Sequence, residues 1–180
     1  EPDIILPENQ ACFRLPGTDG KAKMSKSLGN CIYLSDEPDV IKSKIMSMYT
    51  DPTHIRKEDP GHTKGNPVFT YLEAFCNPEH FKEFMPDYKN LDELKAHYER
   101  GGLGDVTVKK FLNNVMQKEL EIIRERRKMW EQRLPDVYDI LYQGSMKAKT
   151  VAANILEEVK HSMKIDYFEN KNLLSKENER

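Results

Sequence analysis

Residues 21–30 read Lys21-Ala22-Lys23-Met24-Ser25-Lys26-Ser27-Leu28-Gly29-Asn30, with three lysines and two serines in the first seven positions. Gly17 and Gly20 stand just before the run and Gly29 near its end. Glycine reaches backbone angles closed to other residues, so the stretch is predicted to be a mobile loop. Ammonium and hydroxyl groups crowded on such a loop suit a polyphosphate, whose charge is spread over several oxygens. For a lysine–serine cluster of arbitrary order, a solvated basic turn is the plainer alternative.

Outward from the loop the chain changes character. Ile4-Ile5-Leu6, Ala11-Cys12-Phe13-Arg14-Leu15 and Cys31-Ile32-Tyr33-Leu34 are short β-prone runs, separated by Pro7, Pro16 and the glycines. They are too few to form a sheet alone and are predicted to be the trailing edge of a larger α/β domain. Beyond Leu34 the pattern is helical. Ser35-Asp36-Glu37-Pro38 carries start signals, and Val40, Ile41, Ile45, Met48 and Tyr49 follow on one face until Thr50-Asp51-Pro52. Residues 51–66 are predicted to be an extended loop. Asn66-Pro67, Asn77-Pro78 and Asn90 open three further helices, the last stopped by Gly101-Gly102. The longest helix is predicted from about Asp105 to Gln132, with Val108, Phe111, Leu112, Val115, Leu120, Ile123 and Trp130 on its packed stripe. A helix from Pro135 to Tyr142 is closed by Gly144. Ser145 caps a last one, whose inner face is Val151, Ala152, Ile155, Val159 and Met163.

The 180 residues are 38% hydrophobic and 32% charged, which favours surface-rich helices over a buried parallel sheet. A net charge of −2 provides no whole-molecule attraction to nucleic acid, so any basic surface is local. Cys12, Cys31 and Cys76 are odd in number and widely spaced, as expected of reduced thiols in the cytoplasm. No apolar run approaches membrane-spanning length. The chain opens Glu1-Pro2-Asp3 without an initiator methionine and is expected to be a piece of a longer protein.

The order Lys23-Met24-Ser25-Lys26-Ser27 is identical to the signature loop of class I aminoacyl-tRNA synthetases. The likeness extends on both sides. Arg14-Leu15-Pro16-Gly17-Thr18-Asp19-Gly20 leads into it, and Ile45-Met46-Ser47-Met48-Tyr49-Thr50-Asp51-Pro52 and Gly65-Asn66-Pro67-Val68-Phe69 follow. Further on, Gly104-Asp105-Val106-Thr107-Val108-Lys109-Lys110 and Gly144-Ser145-Met146-Lys147-Ala148-Lys149 continue it. Together these resemble the C-terminal halves of bacterial tryptophanyl-tRNA synthetases.

That resemblance implies a mainly α fold, in which a helical bundle, the family's anticodon-binding domain, is preceded by a short remnant of the α/β Rossmann-like catalytic domain carrying the loop. The implied division is residues 1–34, residues 35–166 and a polar, fraying tail at 167–180. It further implies activation of tryptophan with ATP and Mg2+, followed by transfer of tryptophan to its tRNA. Lys23 and Lys26 would be the catalytic groups, and Arg14, Leu15, Lys23, Met24, Ser25, Lys26 and Ser27 the ATP-binding set. A cytoplasmic homodimer is implied for the complete enzyme, with neither a membrane nor DNA as partner. The family's histidine-rich ATP-binding motif and its tryptophan pocket have no counterpart here, so the chain alone is expected not to catalyse activation. His54 and His62 lack a second ligand pair, and no metal site is expected.

A second, basic constellation lies on the predicted helices. Lys109, Lys110 and Arg127 on the long one, and Lys147 and Lys149 on the last, are candidate contacts to tRNA phosphates. Glu119, Glu121 and Glu125 interleave with the basic residues of the long helix, so a solvated, self-paired face is the competing reading for each. Lys147 has the added argument of a predicted helix N-terminus, whose free amides favour phosphate. Two alternatives stand beside the ligase: a non-catalytic RNA-binding module of the same architecture, and a tyrosyl-type class I synthetase.

Overall fold

The computed structural model describes residues 3–167 and holds six α-helices among them, in two compact units, Glu1–Arg127 and Lys128–Arg180. In the first unit the asparagine–proline pairs start helices as predicted. The Asn66 side chain accepts from the Val68 amide at the head of α2 (Pro67–Phe75), and Asn77 accepts from Glu79 and His80 at the head of α3 (Pro78–Phe84). His80 Nδ1 accepts the Asn77 amide in return at 3.1 Å, closing a reciprocal cap that the sequence reading missed. Asn90 caps α4 (Leu91–Arg100) through the Glu93 amide. Each such cap stabilises its helix by about 1 kcal/mol.

The cap of α1 (Pro38–Met46) departs from expectation, because Glu37 stands at the N-cap with no side-chain bond. Asp36 is instead spent on the Tyr33 amide at 2.8 Å and the Lys44 ammonium at 2.5 Å. In α5 (Asp105–Glu131) the buried stripe is Val108, Phe111, Leu112, Val115, Met116 and Leu120. These residues close over Ile41, Ile45, Val68, Phe69, Leu72, Phe81 and Leu94 to form the core.

Residues 51–66 run without helix but are tightly tied. The Asp51 carboxylate accepts from the Thr53 amide and hydroxyl (2.9 and 2.6 Å) and from the His62 amide and Nδ1 (2.8 and 2.6 Å). Burial alone would raise its pKa, but these bonds from Thr53 and His62 hold the carboxyl well below the usual range. The Gly61 amide donates to the Tyr98 carbonyl at 3.1 Å, and a β-carbon at Gly61 would lie 2.3 Å from the Tyr98 ring. Only glycine allows that approach. The Tyr98 hydroxyl donates to Asp105 Oδ1 at 2.6 Å, joining α4 to the start of α5.

Three expectations are corrected. No strand forms among the described residues: the predicted β runs are irregular apart from a 3-10 turn at Gln10–Cys12, and the isolated bridge between Pro16 and Lys23 lies outside them. A strand needs a partner edge, and Ile4 and Ile5 have none, standing 85% and 94% exposed. Second, α6 (Leu134–Ser162) is one helix where two were predicted. Gly144 does not stop it, a β-carbon there would meet nothing within 4 Å beyond the adjoining residues and the helix's own backbone, and Ser145 caps nothing. An interior glycine costs only about 1 kcal/mol, which long helical flanks absorb. Third, the predicted inner face of α6 is open, with Val151, Ile155, Val159 and Met163 all exposed. On α5 the packed stripe stops at Leu120, leaving Ile123 and Trp130 exposed, the latter with the Arg133 guanidinium 5.0 Å above its ring.

Leu15, Met24 and Ile32 pack against the same core as the helices. Most of the polar tail at 167–180 lies outside the described residues.

Candidate active-site loop

The loop is built around Asn30, which is 5% exposed. Its Oδ1 accepts the Ser25 amide at 2.8 Å, its Nδ2 donates to the Lys23 carbonyl at 3.4 Å, and its own carbonyl accepts the Thr18 amide at 2.9 Å. Gly17 lies directly against it, and a β-carbon there would stand 2.1 Å from Asn30 Nδ2. The ends of the loop turn at Gly20 and Gly29, with φ of 67° and 65°, in the left-handed region that glycine occupies without strain. Around the first turn, the Asp19 carboxylate accepts the Lys21 and Ala22 amides, and the Gly17 amide donates to the Ala22 carbonyl at 2.8 Å. Desolvation raises the Asp19 pKa, and the bonds from Lys21, Asn30 and Ala22 outweigh it, leaving the carboxyl below its usual range.

Two tyrosines fasten this base to the helices. The buried Tyr71 of α2 donates its hydroxyl to the Pro16 carbonyl at 2.9 Å, and burial raises its pKa far out of the physiological range. Tyr49, just beyond α1, donates its amide to the Thr18 carbonyl at 2.9 Å.

Four of the predicted ATP-binding residues come together. Arg14, Leu15, Lys23 and Met24 line one open concavity of about 540 Å³, with Cys12 and Phe13. Ser25 and Ser27 face each other, with hydroxyl oxygens 3.0 Å apart, and Lys26 lies between them in sequence. Lys23 and Lys26 are both exposed, with no ion pair to their ammonium groups among the described residues. The arrangement offers cations and hydroxyls to a polyanion at the surface, with the backbone behind them fixed by a buried amide side chain.

The predicted RNA-contacting residues separate. Lys110 and Arg127 on α5, and Lys147 and Lys149 on α6, are exposed. Lys109 is not: it is 8% exposed, and its Nζ donates to the Met46 and Met48 carbonyls at 3.0 and 2.7 Å. Burial lowers the Lys109 pKa from its ordinary value, with Asp105 one turn earlier opposing. An ammonium held in this way is not available to a phosphate. The free-amide argument for Lys147 also falls, since α6 runs unbroken through that position and its amides are engaged within the helix.

The profile of the tRNA synthetases class I (W and Y) matches residues 1–121. The chain belongs to this family. Among curated relatives, tryptophan–tRNA ligase of Clostridium longisporum is 58% identical over 170 residues, covering 94% of this chain and 47% of the relative. That of Lactococcus lactis is 54% identical over 168 residues, covering 93% and 47%. The chain thus spans about half the length of the curated relatives it matches. Tryptophanyl-tRNA synthetase from Campylobacter jejuni superimposes with a TM-score of 0.67 at 27% identity, over 84% of this chain and 45% of that one. The same synthetase complexed with ADP and tryptophan gives 0.66 over 83% and 43%. Within the class I family frame, Asn30, Tyr71 and Tyr49 are supporting residues whose role sequence reasoning missed, and Lys109 is one that it assigned to RNA instead. A lone asparagine or lysine carries no sequence mark of burial.

Proposed function

We propose that this chain is the C-terminal part of a tryptophan–tRNA ligase and supplies the Lys-Met-Ser-Lys-Ser wall of its ATP site. The observation that carries the reading is the concavity in which Arg14, Leu15, Lys23 and Met24 meet, with Lys26 exposed three residues further along the same loop. In the activation step a tryptophan carboxylate oxygen attacks the α-phosphorus of ATP. The bond to the bridging oxygen breaks, and pyrophosphate leaves with the Mg2+ that accompanies the nucleotide. Negative charge grows on the leaving group, and donors positioned for that charge lower the barrier. Lys23 and Lys26 serve as those donors, with Ser25, Ser27 and the loop amides beside them and Lys26 contributing most at the transition state. The helical part carries tRNA, through exposed cations such as Lys110, Arg127, Lys147 and Lys149. The complete enzyme is a cytoplasmic homodimer, and residues 1–180 alone lack the opposite wall and are inactive.

The test is tryptophan-dependent ATP–pyrophosphate exchange in the complete protein. Lys26→Ala is expected to lower the rate by roughly 10²–10³, the scale of one lost transition-state donor. A near-normal rate refutes the role of Lys26, and clear turnover by residues 1–180 alone refutes the division of the site.

A further inference from the structure

Lys109 occupies a place that its charge makes costly unless its partners are specific. The Met46 and Met48 carbonyls that receive its Nζ lie at the C-terminal end of α1. The last carbonyls of a helix have no amide ahead of them, and a cation there also meets the negative end of the helix dipole. The following residue, Tyr49, is the one that grips the loop. Its amide donates to the Thr18 carbonyl, and its ring closes on Gly20, where a β-carbon would lie 2.7 Å from Cδ1. The Thr18 amide in turn donates to the Asn30 carbonyl. One buried ammonium on α5 therefore fixes the peptide immediately before the residue on which residues 18–20 are docked.

We infer that Lys109 is a positioning residue for the signature loop, setting where Lys23 and Lys26 stand by fixing the Met48–Tyr49 segment behind them. It touches neither nucleotide nor RNA. A methionine would fill the space of its stem but leave two carbonyls at the end of α1 without donors. The backbone at Met48 would then be free to move, and the Tyr49–Thr18 contact with it. The kinetic side of this inference rests on the ATP reading above; the structural side does not.

The experiment compares Lys109→Met with Val115→Ala in the complete protein. Val115 is fully buried on the same helix and has no polar link to the loop, so its variant controls for loss of stability. Hydrogen exchange is followed in peptides covering residues 16–30 and 47–51. Lys109→Met is expected to speed exchange there about tenfold relative to Val115→Ala, the scale of losing the charge-assisted hydrogen bond to the Met48 carbonyl, the one of its two bonds that adjoins Tyr49. In ATP–pyrophosphate exchange it raises KM for ATP and lowers kcat while leaving KM for tryptophan unchanged, and Lys109→Arg restores much of both. If Lys109→Met does not fold, Lys109→Gln, which keeps a donor on a shorter stem, carries the same comparison. Equal loop exchange in the Lys109 and Val115 variants overturns the inference, as does a Lys109 variant that leaves KM for ATP and kcat unchanged. A wild-type protein without tryptophan-dependent exchange overturns the proposed function instead, and the loop exchange still decides the role of Lys109.

Discussion

Replacing Asn30 by alanine tests whether the loop is held by one side chain. The substitution removes the acceptor of the Ser25 amide at 2.8 Å and the longer, weaker bond to the Lys23 carbonyl at 3.4 Å. The first bond is worth about 1 kcal/mol net, and leaving a half-buried amide unsatisfied adds about as much again. A total of about 2 kcal/mol corresponds to roughly a 30-fold shift toward loop opening. Amide hydrogen exchange resolved at Ser25 is the assay, and exchange there should accelerate by roughly that factor. The Thr18 amide, which uses the Asn30 backbone carbonyl, should change less. Gly17→Ala reaches the same point from the other side, because its β-carbon would lie 2.1 Å from Asn30 Nδ2 and force that side chain to shift. Ser25 exchange within about threefold of wild type in both variants would refute the reasoning, since the loop would then be held by something other than Asn30.

Two other expectations concern the helices and the segment after α1. Replacing Lys147 and Lys149 together by alanine should weaken tRNA binding and flatten the slope of log K against log salt by about 1–2, one unit per lost phosphate contact; an unchanged slope excludes them from the RNA face. Asp51, with its folded pKa depressed, contributes stability that is fully present above the unfolded carboxyl pKa of about 4 and is lost as pH falls below it toward the folded value. Denaturation of Asp51→Asn should therefore show a weaker loss of stability on acidification than wild type, and parallel acid curves would show that the Asp51 contacts with Thr53 and His62 contribute nothing.

Much of the helical layout was legible because its signals are local. Asn66, Asn77 and Asn90 cap through bonds to amides two or three residues ahead, so residue type and spacing sufficed. Family membership was legible for another reason, since the order of residues 23–27 is itself a mark of the family. Where the reading failed, the deciding contact lay far along the chain. The β runs around Ile4 and Cys31 have strand-like composition, but a strand exists only beside another. Gly144 reads as a stop, but whether a glycine ends a helix depends on the length and cooperativity of its flanks.

Lys109 and Asn30 mark the same boundary within the candidate site. By sequence alone, residues 21–30 are a phosphate-seeking loop and Lys109 is one of several bases on a long helix. The tertiary structure decided that Asn30 turns inward to carry that loop and that Lys109 turns inward to hold the end of α1 behind it. The hydrogen bond from Lys109 to Met48 joins residues 61 positions apart. No local pattern encodes a partner at that distance: it is selected by which carbonyls the folding of α1 leaves without donors, and by which side of α5 the core then draws against them.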